Sequence, residues 1–153
     1  MYTREQASYI RQQFWTRFGK YMSPILSAEG EKINWINYKT GVRYLNFRMN
    51  ATHEFAYIGI EISHKDAGQA ATLYEQFKIL QPNMEETLAE KWQWQAEYEN
   101  DQYQLISSIG MQHQPCNIFK EGDWPGIISF LKPRILKLDQ FWCEHKIIFE
   151  MMR

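Results

Sequence analysis

Alternating apolar and polar residues in the segment Phe55–His64 predict the central strand of a sheet. Tyr57, Gly59, Glu61 and Ser63 alternate there with alanine and isoleucine at positions 56, 58, 60 and 62. A period of two places the two sets of side chains on opposite faces of a sheet. One face is therefore wholly apolar and must be covered, and helical segments before and after this strand can cover it.

Two turns predict two further strands before this one. Lys39-Thr40-Gly41 is typical of a three-residue hairpin loop with Gly41 in the left-handed region, and a second turn is predicted across Asn50–His53. Both hairpins select the same inner face, and a one-residue slip would turn every apolar side chain outward. The predicted pairs are Trp35 with Leu45, Ile33 with Phe47, Met49 with Ala56, Phe47 with Ile58, and Leu45 with Ile60.

Three stretches have the spacing of amphipathic helices. The first begins at a capping box formed by Thr3 and Gln6 and ends at Ser23-Pro24. The second begins at Asp66, and Pro82 is expected to kink or interrupt it. The third begins at Gly122-Asp123-Trp124-Pro125 and contains Pro133, a second expected kink. The apolar stripes are Ile10, Phe14, Phe18 and Met22; Leu73, Phe77, Leu80, Met84 and Leu88; and Leu131, Ile135, Leu138 and Trp142.

A second hairpin is predicted between the last two helices. Apolar and polar residues alternate from Trp92 to Tyr98, a turn is predicted at Glu99–Gln102, and a return strand runs through Ile109. This arrangement pairs Tyr98 with Tyr103 and Trp92 with Ile109. The order is helix, three strands, helix, two strands, helix. It predicts one domain over residues 1–153 with an α+β fold, a mostly antiparallel sheet of five strands and helices covering one face.

Charge, apolar runs and cysteine content limit the partners and the cellular compartment that we expect for this chain. The 17 basic and 18 acidic residues give a formal charge of −1, which argues against general attraction to nucleic acid or anionic lipid. The sequence shows no signal peptide and no apolar run long enough to span a bilayer. Its two cysteines are too few for a disulfide framework and suit a reducing compartment. We expect a cytoplasmic protein with no membrane partner.

The outer face of the three-stranded unit is the leading candidate for a binding site. In the predicted register Arg48 lies opposite Tyr57 and Tyr44 opposite Glu61, with Asn46 between them. Gly59 would leave room for a ligand or a partner backbone. One interpretation is a recognition surface, most commonly a homodimer contact, since tyrosine and arginine are enriched at interfaces. The other is a solvated sheet face with ordinary cross-strand pairs. The leading hypothesis is a self-associating, non-enzymatic interaction or ligand-binding module.

Other candidate sites have weaker patterns. Glu61, Ser63, His64 and Asp66 could supply general acid–base groups, or they are a strand end followed by a helix cap. Ser63 stands where a metal-dependent nuclease usually has lysine. Trp92 and Trp94 could form a stacking platform, although their register favours the core. Two cysteines and two histidines could in principle bind zinc, but their spacing does not match a known zinc motif. We predict no metal and no cofactor. The four residues are His113, Cys116, Cys143 and His145.

Three strings resemble a bacterial family of unknown function, DUF4268. They are R-Q-Q-F-W at Arg11–Trp15, S-A-E-G-E-K-I-N-W-I-N-Y-K-T-G at Ser27–Gly41 and D-W-P-G-I-I-S-F-L-K-P-R at Asp123–Arg134. The resemblance implies no established reaction. Some relatives carry the domain after a nuclease-like module, which implies an accessory role in nucleic-acid defence. In that alternative Arg43 and Arg48, or the acid–base cluster around His64, would form the site.

Overall fold

The alternating segment forms a central strand in the computed structural model, which describes residues 2–152. This strand, β2 (Ala56–Ile62), pairs on one edge with β1 (Leu45–Ala51) and on the other with β4 (Leu105–His113). The strand β3 (Gln93–Glu99) pairs with the far edge of β4, and all pairings are antiparallel. The α+β class is confirmed, with four strands in the described sheet instead of five. The bounds are α1 Arg4–Met22, β1 Leu45–Ala51, β2 Ala56–Ile62, α2 Ala67–Ile79, α3 Gln81–Leu88, β3 Gln93–Glu99, β4 Leu105–His113 and α4 Trp124–Glu150.

The predicted first strand, around Ile33 and Trp35, is wrong. The carboxamide oxygen of Asn34 accepts the amide N–H groups of the residues two and three positions later, a local turn that competes with strand pairing. The indole of Trp35 is buried and donates to the carbonyl of Ile25 at 2.9 Å, so it does not face Leu45 across a hairpin. The segment is therefore a loop, although Gly41 has the positive φ expected of it, 83°.

The register of the β1–β2 hairpin differs from the prediction by two residues. Ala51 pairs with Ala56, because the hydroxyl of Thr52 accepts the amide N–H groups of Glu54 and Phe55 and moves the turn to 52–55. A shift of two preserves the inner face, as the period of a strand requires. The observed inner pairs are Leu45 with Ile62, Phe47 with Ile60, and Met49 with Ile58.

The β3–β4 hairpin also has a different register. Trp94, not Trp92, lies opposite Ile109, and Tyr98 lies opposite Ile106 instead of Tyr103. An irregularity between positions 95 and 98 separates these two pairs. It is a β-bulge, which adds a residue to one strand and offsets the pairing beyond it. Simple alternation therefore located this hairpin and misplaced its partners.

The helix boundaries follow the sequence signals closely. Thr3 and Gln6 form the predicted capping box, and α1 ends at Met22, before Ser23-Pro24. The carboxylate of Asp66 caps α2 by accepting the amide N–H of Gln69. The helix is interrupted at Leu80, between α2 and α3, and Pro82 lies in the first turn of α3, so the expected interruption is present next to this proline. Helix α4 continues through Pro133 over 27 residues.

The helices cover one face of the sheet. Helices α2 and α4 contact β2, whose Ile58 and Ile60 are fully buried, and Leu45 on β1 is 1% exposed. The predicted assignment of the two faces is therefore confirmed. Among residues 2–152, no helix is both long enough and apolar enough to cross a bilayer.

Candidate functional site

The outer face is the side of the sheet opposite α2 and α4. Its side chains are mainly amides and hydroxyls, and asparagine, arginine and glutamine side chains on β1, β3 and β4 are exposed to solvent. Four of the five residues predicted as a binding surface lie on this face. From β1 to β3, the outer face consists of Asn46, Arg48, Asn50, Tyr57, Gly59, Glu61, Ile106, Ser108, Gly110, Gln112, Gln93, Gln95 and Tyr98.

One ion pair crosses the outer face. Nε of Arg48 lies 2.8 Å from a carboxylate oxygen of Glu61, with the arginine side chain 59% exposed and the glutamate 16% exposed. The pair is diagonal, because Arg48 lies opposite Gly59 and Asn46 lies opposite Glu61. The predicted pairs of Arg48 with Tyr57 and of Tyr44 with Glu61 are therefore wrong in register. The interaction between the two charged side chains across β1 and β2 is nevertheless direct.

The space above Gly59 is filled by the chain itself. Gly59 pairs with Gly110, and a Cβ atom on either glycine would collide with the ring of Tyr57, which lies across both. An aromatic ring over strand glycines supplies the packing that the glycines lack. Burial, followed by the charge of Glu61, raises the pKa of Tyr57. The expected room for a ligand at Gly59 is therefore occupied by a neutral tyrosine.

Tyr44 lies at the end of the sheet, away from the other four residues. Its backbone has a φ of 65°, its carbonyl accepts the amide N–H of Ser63, and its ring contacts the imidazole of His64 at a centroid distance of 4.6 Å. The guanidinium of Arg43 lies 5.2 Å from the centre of the same ring. Tyr44 therefore lines a cleft between the start of β1, α2 and the end of α4, which we call the end cleft.

The predicted acid–base cluster is divided among separate local roles. Glu61 pairs with Arg48, and the amide N–H of Asp66 donates to Nδ1 of His64 at 3.0 Å. The carboxylate of Asp66 caps α2. The arrangement fits a strand end followed by a helix cap, which was the alternative interpretation of these residues.

The four candidate zinc ligands have other contacts. His113 stacks on Phe130, and His145 stacks on Phe141. Cys116 lies near the carbonyl of His113, at 3.7 Å. Within the described range 2–152, no three histidine, cysteine, aspartate or glutamate side chains are grouped to hold a metal ion.

The tryptophans predicted to favour the core do lie there. Trp92 is 5% exposed, and its indole N–H donates to the carboxylate of Glu90 at 2.9 Å. Trp94 packs against the core, with Tyr74 edge-on and the ammonium of Lys78 over its ring. These contacts favour packing against the core over a stacking platform.

Helix α4 carries a buried carboxylate that the sequence pattern did not predict. Asp139 is 2% exposed; one oxygen accepts the hydroxyl of Tyr38 at 2.5 Å, and the other accepts the amide N–H of Ala28 at 2.8 Å. The thiol of Cys143 donates to the first oxygen at 3.4 Å. These bonds fasten the loop at Ser27–Gly41 to α4. The only sequence signal was an aspartate next to Leu138 in the apolar stripe.

A polar cleft of about 360 Å³ lies beside Asp139. It contains Cys143, a nucleophilic type of residue. Burial, and then the neighbouring carboxylate of Asp139, raises the pKa of Cys143 to about 12. The thiol is therefore protonated at neutral pH and serves as a hydrogen-bond donor instead of a nucleophile.

Comparison with known proteins places the chain in a family. A model of the family described as Domain of unknown function (DUF4268) matches residues 10–146, from α1 to α4. The comparisons with curated proteins and with solved structures found no match. The family match covers well over half of the sequence and includes the loop at Ser27–Gly41 that Asp139 holds. The chain therefore belongs to the DUF4268 family.

Proposed function

We propose that the chain is a cytoplasmic interaction module that binds a second copy of itself through the outer face. The observation that carries the proposal is the contrast between the two sides of the sheet. Ile58 and Ile60 are completely covered by helices, while Asn46, Arg48 and Gln112 are exposed. An interaction fits better than a reaction, because the acid–base candidates are engaged in an ion pair and a helix cap.

The charge of the outer face favours a second copy as the partner. Arg48 and Glu61 are the only charged residues among the described members of this face, and they have opposite signs. Twofold symmetry brings the same patch together from both copies, so residue pairs occur twice across the axis. Arg48 of each copy can then face Glu61 of the other, surrounded by amides that donate and accept hydrogen bonds. A nucleic acid would find no net positive charge on this face.

Light scattering after size exclusion tests the proposal. The wild-type chain is expected to form dimers, and Arg48→Glu or Glu61→Arg is expected to give monomers, because each face then carries two like charges. Lys20→Glu changes an exposed cation on α1, outside the sheet, and should leave the dimer intact.

Mixing the two variants separates an interaction between copies from the ion pair within one copy. Each variant alone breaks both interactions. In the mixture, the glutamate introduced at position 48 of one copy meets the arginine introduced at position 61 of the other. Recovery of a heterodimer supports the symmetric outer-face contact. A wild-type chain that stays monomeric at every concentration, or dimers that persist in both single variants, would overturn the proposal.

A further inference from the structure

The end cleft is larger than the polar cleft and is separate from the outer face. Its volume is about 760 Å³, within the range of about 300–1,000 Å³ for small-molecule sites. Its apolar wall comes from Val42, Leu73, Phe149 and Met152. Phe149 is fully buried and packs on Phe77 at a centroid distance of 4.4 Å, so this wall is continuous with the hydrophobic core.

The charge of the end cleft is one-sided. Its lining, as far as the described residues form it, contains one charged side chain, that of Arg43, and no aspartate or glutamate. Arg43 is exposed and takes part in none of the ion pairs found among residues 2–152. A guanidinium without a carboxylate partner, next to an apolar wall, favours a ligand that carries an anionic group.

Tyr44 and His64 hold the polar groups at the edge of this wall. The guanidinium of Arg43 lies over the ring of Tyr44 and also donates to its hydroxyl at 3.4 Å. Nδ1 of His64 accepts the amide N–H of Asp66, so the neutral imidazole carries its proton on Nε2 and is a second donor. Donors therefore lie beside the apolar wall, next to Gln69 and Thr72.

We propose that the end cleft binds a small organic acid with an apolar body and a carboxylate or sulfonate head. The body packs against Leu73 and Phe149, and the head accepts hydrogen bonds from Arg43. Apolar contact supplies most of the affinity in such sites, and a few polar groups fix the orientation. The aliphatic chain of decanoate and the aromatic rings of anilinonaphthalene sulfonate both fit this description.

The first experiment measures how decanoate displaces anilinonaphthalene sulfonate from the full chain, followed by the loss of the dye's fluorescence. Arg43→Gln is expected to weaken decanoate binding about tenfold, corresponding to one charge-assisted hydrogen bond. Its matched control is Arg11→Gln, since Arg11 is also exposed and its guanidinium also lies 5.2 Å from a ring centre, that of Phe119. The control should bind like the wild type.

A second variant fills the cleft without touching the arginine. Thr72 is exposed on α2 and lines the end cleft, so Thr72→Phe should exclude both probes. Glu75→Phe, on the same helix but outside the cleft, is the control for added apolar surface. Urea denaturation of all four variants confirms that each is folded.

Decanol separates recognition of the head from attraction to the apolar wall. Decanoate should bind at least tenfold more tightly than decanol to the wild type, and Arg43→Gln should remove that difference. Increasing salt should weaken decanoate binding to the wild type more than to the variant. Equal affinities for acid and alcohol, equal binding by Arg43→Gln and Arg11→Gln, or no binding of either probe would overturn the proposal.

Discussion

The polar cleft and the end cleft lie on either side of one short segment and differ in how their polar groups are used. Lys39 and Thr40 line the first, and Val42 and Arg43 line the second. In the polar cleft, the buried carboxylate of Asp139 accepts three hydrogen bonds from its own chain. In the end cleft, the cation is exposed, and the side chain that it contacts is the neighbouring tyrosine.

A concave polar site is therefore not by itself a binding site. A buried group whose partners all come from the chain stabilises the fold, and removing one partner leaves the others unpaired at a cost of about 1–3 kcal/mol each. An exposed group beside an apolar wall contributes little to folding and is available to a ligand. Substitutions in the polar cleft should therefore change stability, and those in the end cleft should change binding.

Asp139→Asn should have the largest effect on stability. The amide keeps the shape of the side chain but removes the charge, and its NH2 group leaves either the Ala28 N–H or the Cys143 thiol without an acceptor, so about 3 kcal/mol of unfolding free energy should be lost. Urea denaturation measures the change. Asp101→Asn, in the exposed β3–β4 turn, is the control and should stay within about 0.5 kcal/mol of the wild type. An Asp139 variant as stable as this control would contradict the structural role.

The sequence predicted the faces of the sheet better than its pairings. The alternation that includes Ile58 and Ile60 predicts a buried face of the sheet. Alternation alone cannot distinguish two strand registers that differ by two residues. The hydroxyl of Thr52 decides between them through local turn hydrogen bonds. The predicted first strand failed for a similar reason, because the side chain of Asn34 closes a turn and the indole of Trp35 donates to the carbonyl of Ile25, just after α1.

The two clefts depend on contacts that are distant in sequence, so they were harder to foresee. Tyr38 and Asp139 are 101 residues apart, and neither position has a local pattern that predicts a buried bond. Tyr44 follows the alternation of the outer face, but its left-handed backbone lies at the end of the sheet. Four of the five predicted surface residues share the outer face because strand parity alone determines that property. Parity carries no information on where a strand ends.

Tyr38→Phe should cost less than Asp139→Asn. It removes one donor to the carboxylate, which keeps its bonds to the Ala28 N–H and the Cys143 thiol, so a loss of about 1.5–2 kcal/mol is expected. Tyr103→Phe, at an 84% exposed tyrosine, is the matched control. In the double variant with Asp139→Asn, the combined loss should be smaller than the sum of the two single losses, because both residues share one bond. Full additivity would show that the bond is not shared.

Alkaline pH should weaken the polar cleft before the end cleft. Burial and Asp139 raise the pKa of Cys143 from 9.0 to about 12, and burial likewise raises the pKa of Tyr38. Between these values the unfolded chain releases protons that the folded chain retains, so the unfolding free energy falls as pH rises above about 9. The slope per group is at most about 1.4 kcal/mol per pH unit, and solvent near the partly exposed thiol reduces it.

Denaturation midpoints between pH 7 and pH 10 measure this slope. Cys143→Ser should make it shallower, because serine does not ionise in this range. Arg43→Gln, in the end cleft, should leave it unchanged. A wild-type midpoint that is constant up to pH 10 would show that the folded and unfolded chains hold these protons equally.

Tyr44→Gly should have the smallest effect on stability and yet impair binding. A left-handed backbone destabilises a non-glycine residue by about 1 kcal/mol, and glycine removes this strain. Losing the ring contact with His64 destabilises the fold by about the same amount. The net change in unfolding free energy should therefore stay within about 0.5 kcal/mol. Ala89→Gly, at a left-handed helix end with φ 58°, gains the relief alone and should be stabilised. The glycine at position 44 also leaves the Arg43 guanidinium without its support, so decanoate affinity should fall. If Tyr44→Gly lowers the unfolding free energy by more than about 2 kcal/mol, the end cleft stabilises the fold as the polar cleft does, which would contradict the contrast between them.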